Sequence, residues 1–258
     1  MIQDHIYIHL DTTSNSLFST GLNMADFIEA DFEKPENILL LDPHASEGEY
    51  EPHTGLKVIR GQHQVERYFM SKSKQRDAQI KWIDFKDIDL LQQLTAMEVA
   101  ELLYFGHMNT QLHSPFFYKL QNNFVYFEKP DKKNKVYYRQ LDAFYNLLGH
   151  HLKKLVYERI NRRKGFFKAP TEVAIVPEKS LKVMRPLFQE GVIFDTRQET
   201  AIDGTYCIPL YITEDHVKTI SNKLLKKENH IGNIIYHVQK ASWAVELIEW
   251  DSITTIIT

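Results

Sequence analysis

The chain has 258 residues, 43% of them hydrophobic and 25% charged, and a formal net charge of −3. These are ordinary globular proportions, which exclude a disordered or fibrous chain and allow a core large enough to need no disulfide or metal staple. Cys207 is the single cysteine, which excludes a disulfide framework and a CxxC metal knuckle and fits a reducing compartment.

The first apolar run, Ile6–Leu10, reads as a strand, and Thr12–Gly21 as a polar turn. Met24–Phe32 is compatible with helix or strand, so residues 22–33 stay open. ILLL at 38–41 reads as a buried strand, residues 42–54 as a long polar loop, and Leu56–Ile59 as a strand closed by Gly61. Ala78–Phe85 is another strand. Thr95–Met108 reads as a helix, because Thr95 and Glu98 make a capping box: each side chain satisfies a backbone N–H at the open end. Its inner face is Val99, Leu102, Leu103 and Gly106. Phe124–Phe127 and Val136–Arg139 form a hairpin with the lysine-rich DKKNK at its tip.

The most strongly patterned stretch is Leu141–Lys164. Asp142 is placed to cap it and Gly165 to end it. Leu141, Tyr145, Leu148, Leu152, Leu155 and Arg159 make one mostly apolar stripe, widened by Phe144, Val156 and Ile160 into a core-facing surface. His150, Lys154, Tyr157, Asn161 and Lys164 step along the other side. Of the adjacent His150 and His151, only one can join the core, since neighbours on a helix point about 100° apart. Beyond it, Glu172–Val176 reads as a strand and Lys179–Gln189 as a helix that Pro186 breaks. Val192–Asp195 and Thr205–Ile212 read as strands, Glu214–Lys227 as a helix, and Ile234–Val238, Trp243–Trp250 and the SITTIIT tail as strands.

From Glu172 the order is β-α-β-β-α-β, which is the ferredoxin-like order. The expected fold class is α+β: a mixed N-terminal region packed on the long central helix, followed by a ferredoxin-like unit. The expected division is residues 1–168 and 169–258.

Charge is distributed in three blocks. Residues 1–128 carry 10 basic and 19 acidic side chains, residues 129–168 carry 12 and 3, and residues 169–258 carry 9 and 12. The basic block gathers Lys132, Lys133 and Lys135 on the hairpin, then Lys153, Lys154, Arg159, Arg162, Arg163 and Lys164 on the helix, with Tyr137, Tyr138 and Tyr157 among them. Cations that neutralise phosphates beside aromatic faces suit nucleic acid or another polyanion. The plainer alternative is a solvated face that pairs with acids such as Glu47, Glu49 and Glu51, within the chain or across a homo-oligomer.

The glycines are too far apart for GxGxxG or a P-loop, and HExxH and GxSxG are absent, so the familiar nucleotide cradles, zincins and serine hydrolases are excluded. His107 and His113, with Glu98 and Glu101 before them, have the residue types of a metal-dependent or His-dependent hydrolase. Their spacing gives no single helix face, and capping or core roles account for them. His5, His9, Asp42, His44, His53 and His63 likewise match no ligand spacing, so no metal and no cofactor is expected. Cys207, in YCIPLY, reads as a small buried group. The N-terminus lacks a signal-peptide pattern and no apolar run reaches the roughly 18 residues of a membrane span. The leading expectation is a cytoplasmic regulatory or binding protein, away from membranes, that holds nucleic acid or another polyanion through the basic hairpin and helix. The alternatives are the hydrolase and a non-catalytic homo-oligomer.

Overall fold

The computed structural model describes residues 5–75, 79–129, 133–162, 169–197, 201–202, 204–213, 227–248 and 253–257. In chain order the elements are β1 His5–Asp11, β2 Ser16–Thr20, α1 Met24–Glu29, β3 Asn37–Leu40, β4 Glu49–Glu51, β5 Leu56–Arg60, α2 Gln62–Ser73, β6 Ile80–Phe85, α3 Ile88–Leu91, α4 Ala96–Met108, β7 Phe124–Glu128, β8 Lys133–Tyr138 and α5 Asp142–Arg162. They continue as α6 Glu178–Val183, α7 Arg185–Glu190, β9 Val192–Asp195, β10 Ala201–Ile202, β11 Thr205–Ile212, β12 His230–His237, β13 Ser242–Ile248 and β14 Ile253–Ile257. The chain is mixed α/β. It divides into two compact units: one holds residues 11–18 and 22–143, the other residues 1–10, 19–21 and 144–258.

In the first unit the strands run β8-β7-β6-β3-β5-β4, and each neighbouring pair is antiparallel. Side chains alternate between the faces. One face sends Leu39, Ile83, Phe85, Val125, Phe127 and Tyr137 into a core closed by Leu102 and Phe105 of α4. The other stacks Trp82 on Tyr126, with ring centroids 5.3 Å apart, and meets Phe27 of α1 and Phe69 of α2. Thr95 and Glu98 form the expected capping box on α4. Leu103, placed on its inner face from the sequence, is instead exposed, and Phe105 is buried in its stead.

The second unit corrects the expected architecture. Its strands run β14-β13-β12-β11-β9-β1, again antiparallel at every neighbouring pair. From β11 to β14 each strand pairs with the next in sequence, which is a meander and not a ferredoxin-like sheet. The expected strand 172–176 has no ladder. Two aromatic side chains hold it instead: Trp243 Nε1 donates to the Ala174 carbonyl at 2.8 Å, and the Tyr236 hydroxyl to that of Glu172 at 3.4 Å. The expected helix 214–227 lies at 214–226 outside the described residues.

The long helix α5 belongs, from Phe144 onward, to this same unit and is not a separate centre on which the N-terminal region packs. Phe144, Leu148, Leu152, Leu155, Val156 and Ile160 are buried, and Phe144 meets Phe188 of α7 edge to face at 5.8 Å. Asp142 stands in its first turn rather than before it. The opposite side is half-buried and not freely solvated: Asn161 bonds both to the carbonyl and to the N–H of Thr171. His151 is the histidine that joins the core. The helix at 178–190 breaks at Met184, two residues before Pro186, as expected.

Candidate functional site

Three neighbouring strands of the first unit place cations in rows. Lys81 of β6 lies opposite Phe127 of β7, and Phe127 lies opposite Lys135 of β8. One pleat further, Lys129 donates its backbone N–H to the Lys133 carbonyl at 3.0 Å. Because side chains two apart on a strand share a face, Lys81, Phe127, Lys129, Lys133 and Lys135 all belong to the face that α4 covers. That helix stops short. Asn109 takes a left-handed conformation and caps it, and from there the end of the sheet lies uncovered. A cavity of about 240 Å³ opens at this place, lined by Lys81, Lys129, Lys133 and Lys135 together with Phe18, Phe127 and Met108.

The electrostatics follow from crowding. The Lys81 ammonium donates to the Gly106 carbonyl at 2.8 Å, at the end of α4 where free carbonyls attract a cation. Burial pulls its pKa down; Asp42 pushes it up and Lys129 pulls it down again. Burial also lowers the pKa of Lys135, with Asp11 acting the other way. The Lys135 ammonium stands 4.9 Å over the Tyr137 ring. Glu128, the acid among the described lining residues, accepts a hydrogen bond from the Tyr126 hydroxyl at 2.6 Å. Among the described residues, four lysines line the cavity, and Asp42 and Asp11 act on two of them.

The basic block read from the sequence is thus brought together only in part. Lys133 and Lys135 sit within β8, not at a tip, and they line the cavity. Lys132, Arg163 and Lys164 lie outside the described residues. Lys153, Lys154, Arg159 and Arg162 belong to α5 in the other unit; Lys153 is half-buried, Lys154 and Arg159 are engaged by neighbouring groups, and Arg162 is exposed. The acids offered as partners for the block are taken locally. Glu47 pairs with Lys72 at 2.6 Å, Glu49 pairs with Arg60, and Glu51 accepts from the Thr54 hydroxyl at 2.6 Å and from Gln92 at 2.8 Å.

The histidine candidates resolve into local roles. His113 pairs with Glu101 where the loop after α4 folds back, while His107 is exposed in the last turn. A His53 ring nitrogen pairs with the Leu94 carbonyl at 2.8 Å, and Asp42 accepts from the His44 N–H at 3.0 Å. Among the described residues, no three of His, Cys, Asp or Glu gather as metal ligands do. Among them, too, no helix is long and apolar enough to cross a membrane.

Sequence reasoning missed Lys81 and Lys129. Lys129 was legible, since it opens the turn whose other lysines were counted. Lys81 was not, because only the register of β6 on β7 sets it beside them. Comparison with protein-family models, with curated proteins and with solved structures finds no match for this chain.

Proposed function

We propose that this protein binds a polyanion, and that the cavity between the end of α4 and strands β6 to β8 is where it does so. One observation carries the reading: four lysines, one from β6, one just after β7 and two from β8, line one concavity. Two of them give up solvation there, and Lys81 is further unsettled by Lys129, so an anion would relieve an existing repulsion. The lone Cys207 supports a reducing, cytoplasmic setting.

The test is a titration at low salt with mixed-sequence oligonucleotides and with inorganic polyphosphate, on the wild type and on Lys129→Glu combined with Lys133→Glu. Binding that falls at least about tenfold in the variant is expected, since reversing two charges removes two phosphate contacts and adds two repulsions. No binding of any polyanion at low salt retires the reading.

A further inference from the structure

The outer face of α4 is apolar where such faces are ordinarily charged. A helix packed on a sheet turns its polar residues outward. On α4 the exposed positions are Ala96, Met97, Ala100, Leu103, Tyr104, His107 and Met108, and none of them is Asp, Glu, Lys or Arg. The two acids of the helix are already paired: Glu98 with Lys119 at 2.6 Å, and Glu101 with His113. Those pairs clip the following loop back along the helix. Leu112 and Tyr118, both exposed, are next in sequence to His113 and Lys119, so they stand beside the same stripe.

Area and chemistry say what covers this face. Met97, Leu103, Tyr104, Met108, Leu112 and Tyr118 are between 38% and 92% exposed. They are six of the eleven large apolar side chains exposed among the described residues, so the exposure is concentrated and not scattered. At about 200 Å² for a whole side chain of this size, they show solvent roughly 700 Å² together. The largest patch on an ordinary monomer is about 300–600 Å², whereas a standard interface takes about 800 Å² from each partner. A second copy offering the same face would therefore bury nearly the area that a stable dimer needs. Interfaces also gather tyrosine and methionine and avoid free charge. Two copies of this face oppose no like charges, because Glu98 and Glu101 are neutralised within each copy.

The stripe has a register in which it fits itself, as a two-fold interface requires. Ala100 and Tyr104 are one turn apart, about 6 Å along the axis. With two α4 helices antiparallel and the two-fold axis level with Leu102, the Tyr104 ring of each copy falls over the small Ala100 of the other. Antiparallel alignment also sets opposite dipole ends side by side.

We infer that the chain forms a two-fold dimer in which α4 pairs with α4 of a second copy through Met97, Ala100, Leu103 and Tyr104, flanked by Leu112 and Tyr118. The polyanion reading neither supports nor needs this dimer. Sedimentation equilibrium of the full chain over a range of concentrations tests it, with wild type beside Met97→Glu and Ala100→Glu. Both positions are exposed and glutamate is a good helix former, so both variants keep the fold, which circular dichroism checks. Wild type is expected at twice the 30.4 kDa of one chain. Each variant should raise the dimer dissociation constant at least about tenfold, because it sets a carboxylate in an apolar contact. Salt raised from about 0.1 to 1 M should leave the wild-type dimer intact, since screening acts on charges and not on apolar contacts. A wild type that is monomeric at every concentration overturns the inference, as do variants that dimerise as tightly as wild type. A dimer that salt dissolves overturns it too, and would point to charge pairing between copies.

Discussion

Asp84 shows what burial does to a single carboxylate. It sits near the end of β6, almost out of contact with solvent, and accepts from two backbone amides: Phe124 N–H at 2.6 Å and Asn123 N–H at 2.9 Å. Those bonds and the nearby Arg139 favour the charged form, but burial outweighs them and pushes the pKa from its ordinary 3.8 up to about 7. A carboxyl whose pKa is higher in the folded state holds its proton more tightly there. Its contribution to stability is therefore full below about pH 4 and is lost as pH rises toward 7. Urea unfolding of wild type and Asp84→Asn across this range should show wild type losing stability relative to the variant as pH rises. A constant difference between the two would mean that Asp84 stays ionised throughout. Asp84→Ala should cost about 1–3 kcal/mol, because it strands the buried Phe124 N–H. None of this was legible in the sequence, where Asp84 and Asn123 are 39 residues apart. The capping box of Thr95 and Glu98 was legible because its bonds close within three residues.

Helix α4 shows how close approach is written into an element. A Cβ built on Gly106 would lie 2.5 Å from the Leu41 carbonyl oxygen, which is backbone and cannot swing away. Glycine lets the helix seat directly on the end of β3, and the Gly106 carbonyl then meets the Lys81 ammonium. Gly106→Ala would raise helix propensity by about 1 kcal/mol, yet it should destabilise the protein by roughly 1–3 kcal/mol through overpacking. Chemical denaturation checks the sign; a stabilised variant would mean that α4 does not seat there. Local pattern found most elements this way, including the hairpin β7–β8 and the break before α7. It failed where an element depends on distant partners. Ser16–Thr20 reads as polar turn but is a strand, and residues 172–176 read as a strand but hang from Trp243 and Tyr236. The ferredoxin-like expectation rested on that missing strand and on an order of elements that does not set which strands pair.

For the molecule as a whole, the net charge of −3 works against a polyanion at long range. Binding in the cavity must then come from its own short-range field, and the salt dependence counts the groups involved. Each neutralised phosphate releases counterions, so three or four lysines on a single strand give a slope of log affinity against log salt of about −2 to −3. A wider basic surface would give a steeper one. The cations of α5 supply the comparison. They belong to the second unit, while the four cavity lysines belong to the first. Arg162 is the exposed one among the described members of that group, so its reversal disturbs little packing. If the cavity alone holds the ligand, Arg162→Glu should leave both affinity and slope within error of wild type. Lys129→Glu should then lower affinity at every salt concentration and flatten the slope by about 0.7, the share of one phosphate contact. An Arg162 variant that flattens the slope as much as the Lys129 variant would show that α5 shares the ligand, and the site would have to be redrawn to include it.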